Sequence, residues 1–243
     1  MIELFKTQQF THKGGRPNNE DYCGFVTLAG LSCWAVADGA GGHNGGEVAS
    51  KTAVEAILDA FKAEPGLSVS HLKKYLERAQ QEIIIKQKAP DTCSMRTTIV
   101  LLVSDYNNAL WAHAGDSRLY MLKDGRIYFQ TKDHSVPQAL AGAGQISTEQ
   151  IRGHQDRNRI LKSLGTEGGV SATIMDVKVS VKKGDAFLIC TDGFWDNITE
   201  TEMEIDYAKS ETPEAWLKHM RARIVRRVDG EYDNYSAIAV SAE

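Results

Sequence analysis

Residues 97–130 read TTIVLLVSDYNNALWAHAGDSRLYMLKDGRIYFQ. The segment holds four short runs rich in β-branched and aromatic residues, at 97–104, 109–114, 118–122 and 126–130. Tyr106-Asn107-Asn108 and Asp124-Gly125 supply the turn chemistry that hairpins require. An antiparallel meander is therefore expected. On its N-terminal side, YCGFVTL (22–28) and LSCWAVA (31–37) read as two further strands joined at Ala29-Gly30. Between these and the meander, GEVASKTAVEAILDAF (46–61) carries Val48, Ala49, Ala53, Ala56, Ile57, Ala60 and Phe61 at helical spacing. Pro65-Gly66 stops that helix. SHLKKYLERAQQEIII (70–85) predicts a second helix, with Ser70 as N-cap and Leu72, Tyr75, Leu76, Ala79 and Ile83 on one face.

Beyond the meander, residues 135–170 are mixed and Gly-rich and read as short helices and irregular chain. MDVKVSV (175–181) and DAFLICT (185–191) predict a hairpin over Lys183-Gly184. Thr212 and Pro213 suit the N-cap and first position of a last helix, 213–228, and YSAIAVS (235–241) is a closing strand. Strands come in groups, with helices inserted between groups, so the class is α+β with mostly antiparallel sheet. Helix pairs with one apolar face each need two sheet faces to cover. A four-layer α-β-β-α sandwich of two mostly antiparallel sheets flanked by helices meets that need.

The chain has 243 residues, 42% hydrophobic and 25% charged, which suits one domain over 1–243 and excludes compositional disorder. The net charge of -4, from 28 basic and 32 acidic residues, argues against nucleic acid as a partner. No apolar run approaches the roughly 18 residues of a membrane span. The N-terminal MIELFKTQQFTHKGG lacks the apolar run and small-residue cleavage site of a signal peptide, so a cytoplasmic location is expected. Cys23, Cys33 and Cys190 fall in apolar, strand-like runs, Cys93 falls in a polar loop, and no C-x-x-C occurs. That usage fits small buried hydrophobes in a reducing compartment.

Carboxylates mark the strand ends. LSCWAVA runs into Asp38-Gly39, DAFLICT into Asp192-Gly193, and ALWAHAG into Asp116-Ser117-Arg118. Glu20-Asp21 precedes the first strand of the opening pair, and Asp233-Asn234 precedes the last strand. Asp-Gly is also an ordinary turn dipeptide, and Asp124-Gly125 is read as that alone. Asp38-Gly39, however, leads into Gly41-Gly42-His43-Asn44-Gly45-Gly46, more glycine than a turn needs. Such a loop lets backbone come close to a ligand or ion. A strand that delivers a carboxylate at its end also holds it rigidly, as a metal site requires. An oxygen-rich set with little sulfur or imidazole selects hard divalent ions, Mg²⁺ or Mn²⁺. Two such ions would lie about 3.5–4 Å apart, sharing a carboxylate and a water.

The ordered series Arg16-Pro17-Asn18-Asn19-Glu20-Asp21, Asp38-Gly39-Ala40-Gly41-Gly42-His43 with Gly46-Glu47-Val48-Ala49-Ser50, Thr97-Thr98, Gly115-Asp116-Ser117-Arg118, Asp133-His134-Ser135, Thr191-Asp192-Gly193-Phe194-Trp195-Asp196 and Asp233-Asn234 resembles the metal-dependent protein phosphatases of the phosphatase 2C type, bacterial branch. The resemblance runs from 16 to 240. It implies the α-β-β-α sandwich, with two Mn²⁺ or Mg²⁺ ions in a cleft at one edge of the sheets. In this resemblance Asp38 bridges the metals, Asp192 and Asp233 complete one shell, and Glu20 and the carbonyl of Gly39 serve the other. Asp116 and Asp196 match a third, weaker metal site, and Arg16 matches the group that grips the substrate phosphate. The implied reaction is hydrolysis of phosphoserine and phosphothreonine in proteins by a metal-bridging hydroxide, opposing a bacterial Ser/Thr kinase of the eukaryotic type. The implied partners are phosphorylated proteins, including such a kinase or its targets, and the implied state is a monomer. A weakly active relative that binds phosphoproteins, and a metal-dependent phosphodiesterase, are the alternatives.

Asp21 reads as a carboxylate that orients a metal-bound water. Ala40 stands where many eukaryotic members have a histidine, so His43 becomes the candidate acid for the leaving alkoxide, with metal-bound water as its competitor. His113 and His134 read as structural. Arg96 replaces the glycine usual before Thr97-Thr98, and three outcomes stand open there: a strained backbone, an outward side chain, or a contact to substrate. Residues 135–165 fall where the family carries a variable flap. Asp156, Arg157, Asn158 and Arg159 within it either read a phosphopeptide or form a solvated loop.

Overall fold

The computed structural model describes residues 4–28, 30–41 and 45–243. In chain order these form β1 (Phe5–His12), β2 (Asp21–Leu28), β3 (Leu31–Ala40), α1 (Gly45–Ala63), α2 (Val69–Lys86), β4 (Arg96–Thr97), β5 (Ile99–Ser104), β6 (Asn108–Ala114), β7 (Arg118–Lys123) and β8 (Arg126–Gln130). There follow α3 (Val136–Gly142), β9 (Thr173–Ile174), β10 (Val179–Ser180), β11 (Ala186–Cys190), α4 (Asp192–Trp195), α5 (Glu200–Ala208), α6 (Pro213–Arg227) and β12 (Tyr235–Ala242). One sheet has the order β1-β12-β11-β7-β8. The other has the order β10-β6-β5-β3-β2, with β4 on β3 and β9 on β6. Every ladder among the described residues is antiparallel.

The two-residue period of a strand divides each central strand between two cores. In β3, Cys33, Ala35 and Ala37 face α1 and α2, while Trp34 and Val36 face the other sheet. In β7, Leu119 and Met121 face between the sheets, while Tyr120 and Leu122 pack under α5 and α6 with Met203, Trp216 and Ile224. Three apolar cores in sequence make the four-layer α-β-β-α sandwich that the strand grouping predicts. Small residues dominate where α1 lies close on β3 (Ala35, Ala37, Ala49, Ala53), and bulky ones fill the space between sheets. No helix among the described residues is long and apolar enough to cross a membrane.

The structure corrects several expected boundaries. The N-cap of α2 is Ser68, whose hydroxyl accepts from the His71 amide, and not Ser70. The run 97–104 is two strands, because Thr98 breaks the ladder to hold Asp38 from the side. Residues 175–181 and 185–191 are not a hairpin: β10 pairs with β6, whereas β11 pairs with β7 and β12. The turn at Lys183-Gly184 therefore carries the chain from one sheet to the other. The strand β1 and the helices α4 and α5 lie outside the elements that the sequence predicts.

Candidate active site

One end of the sandwich opens into a cleft of about 460 Å³, lined by Arg16, Glu20, Asp38, Gly39, Asp116, Asn158, Asp192 and Asp233 among others. Each acid is held there by its own local device. Asp38 is locked through its backbone. Its amide donates to Thr98 Oγ1 at 2.9 Å, and its carbonyl accepts from the Thr98 amide and from Thr97 Oγ1, both at 2.8 Å. Asp21 lies directly across the β2–β3 ladder from Asp38, so the two side chains share a face. Glu20 is fixed by Asn234. The Asn234 Oδ1 accepts from the Glu20 amide at 2.8 Å, and its Nδ2 donates to the carbonyls of Lys13 at 2.7 Å and Asn18 at 2.9 Å. One amide side chain thus staples the 13–20 loop beside Asp233.

The two Asp-Gly pairs are more than turns. Neither Gly39 nor Gly193 has a positive φ. A Cβ at Gly39 would lie 2.0 Å from the Gly46 carbonyl oxygen, and one at Gly193 would lie 2.1 Å from the Asn234 carbonyl oxygen. Glycine is needed because backbones cross there, bringing the start of α1 onto β3 and the start of α4 onto the Asp233-Asn234 corner.

Behind Asp116 and Asp192 lies a buried cationic brace. Arg118 donates to both oxygens of Asp133, each at 2.8 Å, and its guanidinium lies 3.3 Å from the centre of the Trp195 ring. Trp195 Nε1 in turn donates to the Asp116 carbonyl at 2.9 Å. Asp21 Oδ2 accepts from Thr191 Oγ1 at 2.8 Å, and that hydroxyl accepts from the Ser236 amide at 3.0 Å. Arg16 Nη2 donates to Asp233 Oδ2 at 3.3 Å, and Arg157 pairs with Asp196.

The electrostatics are those of anions without enough cation. Burial, then the nearby Asp21 and Asp192 charges, push Asp38 well above the carboxylate range. Burial and the Asp192 charge do the same to Asp116. Burial raises Asp192, with Asp233 adding to it, and raises Glu20, again with help from Asp233. Burial lifts Asp21 to about 8 despite its hydroxyl donors, and lifts Asp196 to about 7 despite Arg157. One oxygen on each of Asp21, Asp116, Asp192 and Asp196 is buried and lacks a hydrogen-bond partner. Buried carboxylate oxygens without donors are costly, and hard divalent cations are the ligands that satisfy them. The donor set fits such ions. Among the described residues, no three acid, imidazole or thiol side chains stand grouped so as to hold an ion; the acids ring a cleft instead.

The cleft therefore gathers Arg16, Glu20, Asp38, Gly39, Asp116, Asp192 and Asp233. Asp21 sits beneath it, and Asp196 lines an adjoining hollow with Arg16, Asp192 and Asp233. His43 lies outside the described residues. In a larger hollow of about 640 Å³, Arg152 pairs with Glu200 and Arg118 with Asp133, and no lining carboxylate has a buried oxygen without a partner. The supporting residues Asn234, Thr98, Thr191 and Trp195 all stand inside the motifs above, yet no role came from the sequence. Their contacts described above span between 45 and 221 positions of chain.

Comparison with known proteins gives the same answer. A family model described as protein phosphatase 2C matches residues 10–232. The chain is 34% identical over 196 residues to the serine/threonine phosphatase stp of Listeria monocytogenes, covering 78% of this chain and 77% of that protein. It is 30% identical over 231 residues to the protein phosphatase PhpP of Streptococcus pneumoniae, covering 93% and 92%. It superposes on the catalytic domain of the serine/threonine phosphatase PstP in complex with two manganese ions, with a TM-score of 0.80 and 28% identity over 98% of this chain and 97% of that one. The chain belongs to the protein phosphatase 2C family, whose members are metal-dependent.

Proposed function

We propose that this chain hydrolyses phosphoserine and phosphothreonine in proteins, with two Mn²⁺ or Mg²⁺ ions held by Glu20, Asp38, the Gly39 carbonyl, Asp192 and Asp233. A third, weaker ion would sit on Asp116 and Asp196. The observation that carries this is the set of buried carboxylates, several with partnerless oxygens, around one cleft. Bound there, the cations would supply positive charge for the phosphate dianion and a water of lowered pKa.

The chain's own groups do the rest. Arg16 lines the cleft, and its planar fork has donors left beyond the one on Asp233 for the oxygens of a phosphate. Asp21, anchored by Thr191, is positioned to orient water within the acid cluster. Asp38, whose backbone Thr97 and Thr98 fix, presents its carboxylate from a rigid strand end. His43, three positions past Ala40, is the candidate proton donor to the leaving oxygen. The chain would act as one catalytic domain over 1–243, with residues 135–165 as its flap. It would work as a cytoplasmic monomer on phosphoproteins that include a Ser/Thr kinase or its targets.

The test is turnover of a phosphothreonine peptide and of p-nitrophenyl phosphate, with Mn²⁺ and with EDTA. Chelation should stop both reactions, and Asp38→Asn and Asp192→Asn should each abolish them. Undiminished turnover in either variant contradicts the assignment. Hydrolysis of bis-p-nitrophenyl phosphate alone would identify a phosphodiesterase, and phosphopeptide binding without turnover would identify a regulator.

A further inference from the structure

Arg96 is not strained. Its φ is not positive, and it forms β4 by pairing with Ala40 at the end of β3. Partners across an antiparallel ladder project from the same face, with their Cβ atoms about 4.5–5.5 Å apart. Ala40 is exposed and lines the acid cleft. The Arg96 side chain is exposed beside it, on the cleft's own side of the ladder. The other face of the same ladder belongs to Gly39 and buried Thr97, and is closed by the start of α1. On its far side β4 meets Leu164, which exchanges backbone hydrogen bonds with Thr97. Arg96 thus stands in the rim between the β3 end and the 160–164 segment, whose Ile160 also lines the cleft.

Among the described residues the charge of Arg96 is unmatched. Around the same cleft, Arg16 pairs with Asp233, Arg157 with Asp196, and Arg159 with Asp156. The Arg96 side chain has no ion pair or hydrogen-bond partner among the described residues. Near it lie an acid-lined cleft and a methyl group. A guanidinium offers a planar fork of donors suited to carboxylate or phosphate.

We infer that Arg96 is a specificity-determining residue that receives an acidic side chain flanking the phosphorylated residue of a protein substrate. This rests on the reading of the cleft as a phosphoserine/phosphothreonine site. Arg16, the other cation at the cleft, pairs with Asp233 and is assigned to the phosphate, so Arg96 is the seat left for an acidic neighbour beside an otherwise acid-lined cleft. An exposed ion pair of this kind discriminates by up to about fivefold.

The experiment uses phosphothreonine peptides identical except for acidic, neutral or basic residues flanking the phosphothreonine, with Mn²⁺, on the parent protein and on Arg96→Gly, Arg96→Lys and Arg96→Glu. The quantity read is the ratio of kcat/KM for the acidic over the neutral peptide within each protein, which cancels any loss of folded enzyme. The parent should favour the acidic peptide by about three- to fivefold. Arg96→Gly should bring the ratio to one, Arg96→Lys should keep most of it, and Arg96→Glu should move the preference to the basic peptide. A ratio that is the same in the parent and in Arg96→Glu overturns the inference, as does a parent with no acidic preference. Fluorescence anisotropy with the same peptides reads the preference without turnover. A parent that binds but fails to hydrolyse any phosphomonoester refutes the phosphatase reading. The anisotropy ratios then still decide the role of Arg96 by the same criterion.

Discussion

Replacing Asp133 by alanine should destabilise the protein by about 3 kcal/mol, at the low end of the roughly 3–5 kcal/mol that follows when one partner of a buried ion pair is removed. Arg118 and Asp133 are both buried, and their two bonds of 2.8 Å form a bidentate pair. Alanine would leave the guanidinium in the interior with a reduced set of partners. The low end applies because Arg118 keeps Tyr120 Oη at 3.2 Å, Glu200 at 3.6 Å and the Trp195 face. For a chain of this size, each kcal/mol moves the melting temperature by about 2–4 °C, so a drop of about 6–12 °C is expected by calorimetry. The cause is an unmatched charge, so its removal should reverse much of the effect. The double variant Arg118→Met with Asp133→Leu should melt above Asp133→Ala, although it carries one more substitution. A double variant that falls by the sum of its parts would refute the reasoning, as would Asp133→Ala melting within about 2 °C of the parent.

Asn234→Ala removes the staple that holds Lys13, Asn18 and Glu20, and should weaken Mn²⁺ binding by about 10–100-fold in a calorimetric titration. Gly39→Ala places a methyl 2.0 Å from a backbone oxygen, so it should cost at least the roughly 1–3 kcal/mol of overpacking and shift the urea midpoint downward. The metal-free protein should lose stability as pH rises. Its cleft acids titrate above their unfolded values of about 4, so their contribution is complete below that pH. It is then lost through the folded values, about 7 for Asp196 and about 8 for Asp21. Melts in EDTA should therefore fall between mildly acidic and mildly alkaline buffer, and Mn²⁺ should restore the loss; a flat EDTA profile would contradict this.

Much of the architecture is legible in the sequence because local patterns carry it. The alternation in 31–37 and 118–122 separates two cores, and the helical spacing of 46–61 marks a single buried face. Failures occur where partners are distant. Residues 175–181 and 185–191 look like a hairpin by turn chemistry, yet β6 and β12 claim them separately. Strand β1 is polar at an edge and owes its place to β12, more than two hundred positions away. At the site, the carboxylates announced themselves by standing at strand ends. Their supports did not, since a threonine that locks Asp38 or an asparagine that locks Glu20 looks like any other. Arg96 departs from the family pattern, and only its long-range pairing with Ala40 sets it in an unstrained strand position.

The most direct test is an anomalous difference map from crystals grown with Mn²⁺. The account predicts manganese peaks within the cleft, bounded by Glu20, Asp38, Asp192 and Asp233. A map with no peak among these four carboxylates, at saturating Mn²⁺, would contradict it.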